Sequence, residues 1–192
     1  YEGQTYNTVS IGEQCWFREN LNVGTFISST YSGYLQTDNG IIEKYCYDND
    51  IANCTLYGGL YEWGEAMQYE TTEGSPGICP PGWHVPTDNE WKILEGTVDS
   101  QYGVSDPVWD NFYYRGHDAG GNLKETGTDD WFSPNTGATN TSGFTGLPGG
   151  ARNGNSGFFY HLNNTGYFWT SSQNDESNGW YRSLGFNDAR IY

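Results

Sequence analysis

Apolar residues recur at helical spacing twice in the first half of the chain. The first stripe predicts a helix over about 59–69, with Glu62 and Glu65 mainly on its solvent side. The second stripe predicts a helix over about 88–98. The apolar positions are Leu56, Leu60, Trp63 and Met67 in the first stripe, and Trp91, Leu94 and Val98 in the second.

Strand patterns surround these helices. Residues 5–11 alternate between polar and apolar, which predicts a first strand with a turn at Gly12. After about residue 100 helical spacing disappears, and short apolar stretches at 157–160 and 167–170 predict strands joined by turns. Two early helices followed by a loop-rich, mainly antiparallel β region form an α+β arrangement. No change in composition divides the chain, so a single domain over 1–192 is expected.

The composition is acidic and rich in aromatic residues. The chain carries 24 Asp and Glu against 8 Lys and Arg, a net charge of -16. That field repels phosphate backbones and anionic lipid, so nucleic-acid and membrane-surface partners are not expected. No apolar segment is long enough for a membrane span. With 16 Tyr, 8 Trp and 9 Phe, the core is expected to consist largely of rings.

The cysteines predict disulfide bonds rather than a zinc site. None of Cys15, Cys46, Cys54 and Cys79 forms a Cys-x-x-Cys pair. An even number in such a chain indicates two bridges formed in an oxidising compartment, and four cysteines allow three pairings. The chain begins at Tyr1 rather than Met, so we expect that a signal peptide has been removed and that the protein is secreted.

The sequence contains no recognisable catalytic motif. His84, His117 and His161 form no His-Glu-x-x-His arrangement, and a packed, hydrogen-bonded role fits His84 better than catalysis. There is neither a Gly-x-Ser-x-Gly nucleophile elbow nor a P-loop. We therefore expect a protein that is not an enzyme and that needs no cofactor.

Calcium is the one metal that the sequence raises. Asp48 and Asp50, and Asp175 and Glu176, cluster oxygen ligands in polar stretches, as a hard cation requires. The chain contains no EF-hand loop, and solvated acidic turns are the favoured interpretation of both clusters. Calcium binding is the alternative.

Aromatic residues among Asn, Asp and Ser suggest a binding surface. Rings stack on sugar faces, while amides and carboxylates bind hydroxyl groups, and the same composition serves protein recognition. Filling of an aromatic core is the alternative explanation. The candidate ligand-binding residues are Trp109, Tyr113, Tyr114, Trp131 and Trp180.

Three residues carry structural predictions of their own. Trp63 and Trp91 are expected to be core anchors on the two helices rather than ligand contacts. Arg152 lies in a stretch rich in Gly and Pro and is one of few cations, so we expect it to be partly buried and paired.

The stretch from Gly77 to Trp91 joins a cysteine, a Pro-Pro turn, a Trp and a helix start. Thr87 is placed to cap the helix, and Glu90, three residues later, to close a capping box. This stretch resembles the signature of the Fibrobacter succinogenes major paralogous domain, a family of secreted bacterial modules. More loosely, it resembles formylglycine-generating-enzyme-like proteins. Further segments that resemble the family, in order, are 11–21, 45–63, 142–152 and 166–172.

The resemblance implies a C-type-lectin-like fold displayed outside a bacterial cell. It favours a Cys46–Cys54 bridge, across a short acidic loop whose spacing family members share, which leaves Cys15 and Cys79 for the second bridge. The formylglycine-generating relatives use paired cysteines late in the chain. No cysteine follows Cys79 here, so that activity does not carry over.

The resemblance also raises the question of assembly. Family members continue past the position of Tyr192 into a closing strand, and first and last strands pair in lectin-like folds. We therefore expect an unpaired edge at Tyr6, Val9 and Ile11, with a covered edge as the equal alternative. Two hypotheses follow: a non-enzymatic module for adhesion or for binding a protein or carbohydrate, and a subunit that joins copies of itself into an extracellular filament.

Overall fold

The chain begins with a tight β-hairpin. The computed structural model describes residues 1–30, 36–175 and 178–192. In it β1 (Thr8–Ile11) pairs antiparallel with β2 (Gln14–Phe17). Gly12, at a φ of 59°, turns the chain in a left-handed conformation that costs glycine little. The turn predicted at Gly12 is confirmed, and the first strand begins at Thr8.

Eight short strands and four α-helices occur in the described part of the chain. The remaining strands are β3 (Thr25–Phe26), β4 (Glu43–Lys44), β5 (Gly149–Arg152), β6 (Phe159–Leu162), β7 (Thr165–Gln173) and β8 (Gly179–Gly185). The helices are α1 (Ile51–Tyr57), α2 (Trp63–Ala66), α3 (Asp88–Val98) and α4 (Ala119–Leu123), with 3₁₀ turns at Tyr47–Asn49 and Pro107–Asp110. Consecutive strands pair in twos, β3 with β4 in parallel and the others antiparallel. The α+β class is confirmed.

The single helix predicted over 59–69 is wrong, because two shorter helices flank an extended stretch. Gly58 ends α1 at a φ of 86°, which removes the chain from helical geometry. Leu60 and Tyr45 then exchange backbone hydrogen bonds of 3.0 and 2.9 Å. The apolar periodicity therefore spans α1, a bridge and α2 rather than one helix.

Helix α3 forms where it was predicted, over Asp88–Val98. The Thr87 hydroxyl accepts a hydrogen bond from the Glu90 backbone N–H at 3.1 Å, and the Glu90 carboxylate accepts one from the Thr87 N–H at 2.8 Å. This capping box pairs two backbone N–H groups that a helix start otherwise leaves unpaired.

Helix α4 was not predicted, since two glycines within it disfavour a helix. Both positions are crowded by neighbouring backbone. A Cβ at Gly120 would meet the Arg190 carbonyl oxygen at 2.3 Å, and one at Gly121 would meet the Gly137 carbonyl oxygen at 2.2 Å. Close packing therefore requires glycine where helix propensity opposes it.

Aromatic rings dominate the main core, as expected. It joins the hairpin, α3 and β8 and includes Trp16, Trp91, Trp109, Trp131 and Phe144. Trp63 lies in a smaller cluster, where its indole N–H donates to the Thr170 carbonyl oxygen at 2.8 Å. Burial of Trp63 and Trp91, at 6% and 1% exposure, confirms both as core anchors.

Glu95 on α3 is fully buried and binds two arginines. Arg115 donates two hydrogen bonds to its carboxylate, both at 2.8 Å. Arg182 on β8 donates a third at 2.6 Å and reaches Asp88 at 2.6 Å. These charge-assisted bonds fix β8 against α3.

Glu65 and Arg152 are two charged side chains buried near α2, the first against the prediction and the second in agreement with it. Glu65 was predicted to face solvent but is fully buried, and its carboxylate accepts 2.8 Å bonds from the Tyr69 hydroxyl and the Glu43 N–H. Arg152 is paired and buried, as predicted, with a side chain only 3% exposed. It donates to the Ser29 hydroxyl at 2.7 Å and to Glu62 at 3.2 Å.

The four cysteines form one bridge. Cys46 and Cys54 are joined, as the resemblance implied. The second bridge is wrong: Cys15 is an exposed free thiol on β2, and Cys79 is a partly buried free thiol. No helix in the described part of the chain is long and apolar enough to cross a membrane.

Candidate functional site

The β7–β8 ribbon presents one face to the main core, and the other partly to the smaller core cluster, through Trp169, and partly to solvent, through Tyr181. Phe168 packs against the core, and Arg182, opposite it, binds the buried Glu95. Tyr167 and Trp169 flank Phe168 in sequence, so their side chains leave by the other face. Tyr181 lies opposite Trp169 on that same outer face.

Six tyrosines from separate parts of the chain meet around this outer face. We call this surface the tyrosine face: Tyr113, Tyr114, Tyr160, Tyr167, Tyr181 and Tyr192. Successive ring centroids lie 5.3 to 6.3 Å apart. Tyr192 connects the loop tyrosines to the ribbon, because its backbone exchanges hydrogen bonds of 2.9 and 3.1 Å with Ser183. Exposure reaches 72% at Tyr113 and 39% at Tyr181, so both rings are accessible.

The tyrosine face contains a concave pocket of about 330 Å³. Residues with amide and hydroxyl groups line it as well: Asn164, Thr165, Ser183 and Asn187. The pocket therefore offers flat aromatic surface together with neutral donors and acceptors, the combination that holds a small polar ligand in a fixed orientation.

Two phenols of this pocket, those of Tyr167 and Tyr181, have a raised pKa. Burial, with a contribution from Tyr160, raises the pKa of Tyr167 to about 12. Burial and the nearby Tyr192 hydroxyl also raise the pKa of Tyr181 above its usual range. The Tyr167 hydroxyl lies 2.7 Å from Nδ1 of His161, with which it shares a hydrogen bond. The Tyr167 and Tyr181 hydroxyls therefore carry no charge near neutral pH, although the whole chain is strongly acidic.

The five aromatic residues predicted to bind a ligand fall into three environments. Tyr113 and Tyr114 lie on the tyrosine face. Trp180 is half-buried, with its ring 5.6 Å from that of Phe112. Trp109 and Trp131 are wrong as ligand contacts, since each is 1% exposed and packed in the core.

Sequence reasoning missed Tyr160, Tyr167, Tyr181 and Tyr192. The available signal was the alternation of Tyr167 and Trp169 along a strand, which places both on one side. That alternation does not say which side faces the core. The position of Tyr192 depends on pairing between segments distant in sequence.

The residues considered for calcium gain no support from the structure. Asp48 is exposed, and Asp50 caps α1 with its carboxylate. Asp175 accepts hydrogen bonds from Asn178 within its own turn, and Glu176 lies outside the described residues. Across the described residues, no group of three or more His, Cys, Asp or Glu is placed to hold a metal ion.

The edge of the first strand is open, but at other residues than predicted. Val9 and Ile11 pair with β2 and pack into the core, and the Tyr6 hydroxyl accepts a backbone N–H at 3.0 Å. The exposed Thr8 and Ser10 alternate with them, so their backbone groups point away from β2. Within the described residues these groups have no hydrogen-bond partner.

Comparison with known proteins identifies the chain at the level of a family. No curated protein and no solved structure gives a significant match. The model of the Fibrobacter succinogenes major domain matches residues 9–192, from within β1 to the last residue of the chain. A match over nearly the whole chain includes the hairpin, the capped helix α3 and both strands of the tyrosine face, and the protein therefore belongs to the Fibrobacter succinogenes major domain family.

Proposed function

We propose that this protein is a non-enzymatic bacterial surface module that binds a carbohydrate through the tyrosine face. The observation that carries the proposal is the concave pocket that tyrosine rings, amides and hydroxyl groups line together. Rings offer apolar surface to the C–H face of a sugar, while amides and hydroxyls bind its hydroxyl groups.

The shape of the pocket favours a sugar over a protein surface. A volume of about 330 Å³ lies at the lower end of the range for small-ligand sites. Its polar lining suits a ligand that carries many hydroxyl groups. Tyr113 and Tyr160, whose rings lie next to those of Tyr192 and Tyr167, extend the aromatic surface beyond one sugar unit, which suits a chain of sugars.

A C-type-lectin-like fold and an extracellular location complete the proposal. The family of the chain and the α+β arrangement support the fold. The Cys46–Cys54 disulfide supports an oxidising compartment, since such bonds persist outside the reducing cytosol. Adhesion to a glycan-bearing surface is the role that follows.

A glycan array probed with the purified protein, followed by calorimetry with the best oligosaccharide, tests the proposal. Tyr181→Ala should weaken binding about tenfold, because it removes a stacking surface. Tyr1→Ala is a matched control, since Tyr1 is 38% exposed against 39% for Tyr181 and lies outside the tyrosine face. Equal losses in the two variants, or no glycan bound at all, would reject the proposal.

A second candidate is a filament subunit that joins copies of itself by strand addition. The specific observation in its favour is the open edge at Thr8 and Ser10, because unpaired backbone groups on a strand are a template for another strand. A net charge of -16 on each copy opposes assembly at low salt and is screened as salt rises.

Sedimentation velocity at increasing salt tests the second candidate. The filament hypothesis predicts multimers that grow with ionic strength. Ser10→Pro should abolish them, since proline removes the backbone N–H that points away from β2. Cys15→Pro is the matched control, because Cys15 lies opposite Ser10 and its own N–H points to the other side of the hairpin. A monomer at every salt and protein concentration would reject the filament hypothesis and leave the carbohydrate-binding module as the remaining candidate.

A further inference from the structure

The outer edge of β2 is unpaired, like that of β1. The Arg18 N–H donates to the Asn7 carbonyl oxygen at 3.0 Å, and hydrogen-bonded pairs alternate along an antiparallel ladder. Gln14 and Trp16 therefore bond to β1, whereas the backbone groups of Cys15 and Phe17 point away from it. Within the described residues these two N–H and two C=O groups have no hydrogen-bond partner.

A large cleft lies beside this edge. Its volume is about 1160 Å³, and Cys15 and Phe17 contribute to one wall. Apolar side chains from other parts of the fold line the rest, among them Tyr61, Leu147 and Trp169. Strand edges next to apolar walls are the features that bind an extended peptide, since the backbone supplies the hydrogen bonds and alternate side chains enter the walls.

An unpaired buried donor lines the same cleft. Trp91 is 1% exposed, and its indole N–H has no acceptor within the described residues. A buried polar group without a partner is costly and rare in folded proteins. An incoming backbone carbonyl would supply the missing acceptor.

The charges along the cleft define the chemistry of its occupant. Glu13, Glu19 and Glu70 line it without a cationic partner in the described residues. Arg152, a cation of the lining, is already paired with Glu62, and His84 is hydrogen-bonded to Glu90. A basic segment is therefore favoured, and a second copy of this chain, at -16, is disfavoured.

We propose that this cleft binds an extended peptide segment of a partner protein, in which apolar residues alternate with Lys or Arg. The segment adds to β2 as a third strand of the hairpin sheet. Its apolar side chains contact the apolar walls of the cleft, and its basic side chains pair with Glu13, Glu19 and Glu70. One of its backbone carbonyls accepts a hydrogen bond from the Trp91 indole N–H. Tyr160, Tyr167 and Tyr181 belong to both the cleft and the tyrosine face, whereas Cys15, Phe17 and Glu19 line the cleft alone. The strand contact at Cys15 and Phe17 therefore stands whether or not the tyrosine face binds a sugar.

The experiment uses a blocked synthetic heptapeptide in which lysine alternates with valine. Hydrogen exchange of the protein followed by NMR should slow at the Cys15 and Phe17 amides on peptide addition, and not at Thr8 and Ser10. A peptide of the same pattern with glutamate for lysine should bind at least about tenfold more weakly. A lysine peptide N-methylated at alternate residues on one edge should lose the protection, because its backbone donors are removed.

A matched pair of variants places the contact on one edge of the hairpin. Cys15→Pro should weaken binding by about tenfold or more, whereas Ser10→Pro should leave it unchanged. If either variant fails to fold, the N-methylated peptide on the natural protein makes the same test. Four outcomes would each overturn the proposal. The first two are protection at Thr8 and Ser10 and equal binding of the glutamate peptide. The others are protection of Cys15 and Phe17 by self-association alone and no protection at millimolar peptide.

Discussion

Cys15 and Cys79 are both free thiols, but their surroundings differ. Cys15 is exposed on β2, whereas burial raises the pKa of Cys79 to about 12. Because the thiolate is the reactive form, a thiol with such a pKa reacts slowly at neutral pH.

We therefore expect one cysteine to react rapidly with a thiol reagent in the native protein and a second to react only after unfolding. Peptide mapping should locate the rapid label at Cys15. The disulfide at Cys46–Cys54 should resist labelling until it is reduced. Absence of any free thiol in denaturant would show that Cys15 and Cys79 are bridged after all.

Asp99 makes a concentrated set of backbone contacts where α3 ends. Oδ1 accepts hydrogen bonds from the N–H groups of Gln101 and Tyr102, and Oδ2 from those of His117, Asp118 and Ala119. Burial alone would raise the pKa of Asp99, but these hydrogen bonds to the charged form outweigh it and hold the pKa below its usual range.

Asp99→Asn should therefore lower the free energy of unfolding by about 1.5–3 kcal/mol at pH 7. A folded pKa below the unfolded value, about 3.9, means that the stabilisation is complete above the unfolded pKa. It is lost as pH falls through the folded pKa, so the difference between the two proteins should shrink in acid. Urea unfolding at several pH values measures it, and a pH-independent difference would contradict the assignment.

Individual side chains differed in how far the sequence could place them. Arg152 was predictable, because a rare cation in a turn rich in glycine has few roles other than pairing. Trp109 and Tyr113 lie four residues apart in similar polar surroundings, yet one is 1% and the other 72% exposed. Local composition carries no information about which ring the rest of the chain covers.

Among the elements, α3 was predictable because its start, its apolar stripe and its length agree. The capping box at Thr87 and Glu90 is a local signal that tertiary structure preserved. The stretch 59–69 had the stripe without a cap, and the long-range bridge between Tyr45 and Leu60 overrode it. Periodicity without start and stop signals is therefore weak evidence for a helix.

The contact of α3 with β8 depends on a charge buried at Glu95. Glu95→Gln should lower the free energy of unfolding by about 3–5 kcal/mol, because it leaves Arg115 and Arg182 buried without a full countercharge. Replacing all three by apolar residues, Glu95→Leu with Arg115→Met and Arg182→Met, should recover most of that loss. Denaturant unfolding measures both, and a triple variant less stable than Glu95→Gln would indicate a specific need for the ions.

At the scale of the whole molecule, the tyrosine face could not be predicted from the sequence. It joins residues 113–114, 160, 167, 181 and 192, whose approach depends on the pairing of β7 with β8 and of the chain end with Ser183. Neither pairing has a local signature. The sequence named Tyr113 and Tyr114 as candidate ligand contacts but not the other four tyrosines, so their meeting on one surface is information that only the fold supplies.

The overall charge of -16 leads to the last prediction, which concerns salt and calcium together. Like charges repel over about 30 Å at 0.01 M ionic strength but only about 8 Å at 0.15 M. Raising the ionic strength with NaCl should therefore raise the melting temperature, because screening relieves repulsion in the compact state more than in the expanded one. The buried Glu95 cluster is little affected, since its charges are shielded from salt.

Calcium chloride at matched ionic strength should give the same melting temperature as NaCl, because the described residues contain no group placed to hold a metal ion. A calcium ion bound only by the folded state would instead stabilise it in proportion to the logarithm of its concentration. Scanning calorimetry in the two salts separates the outcomes: coincident curves support general screening, and a calcium-specific rise that magnesium does not reproduce would restore a calcium site.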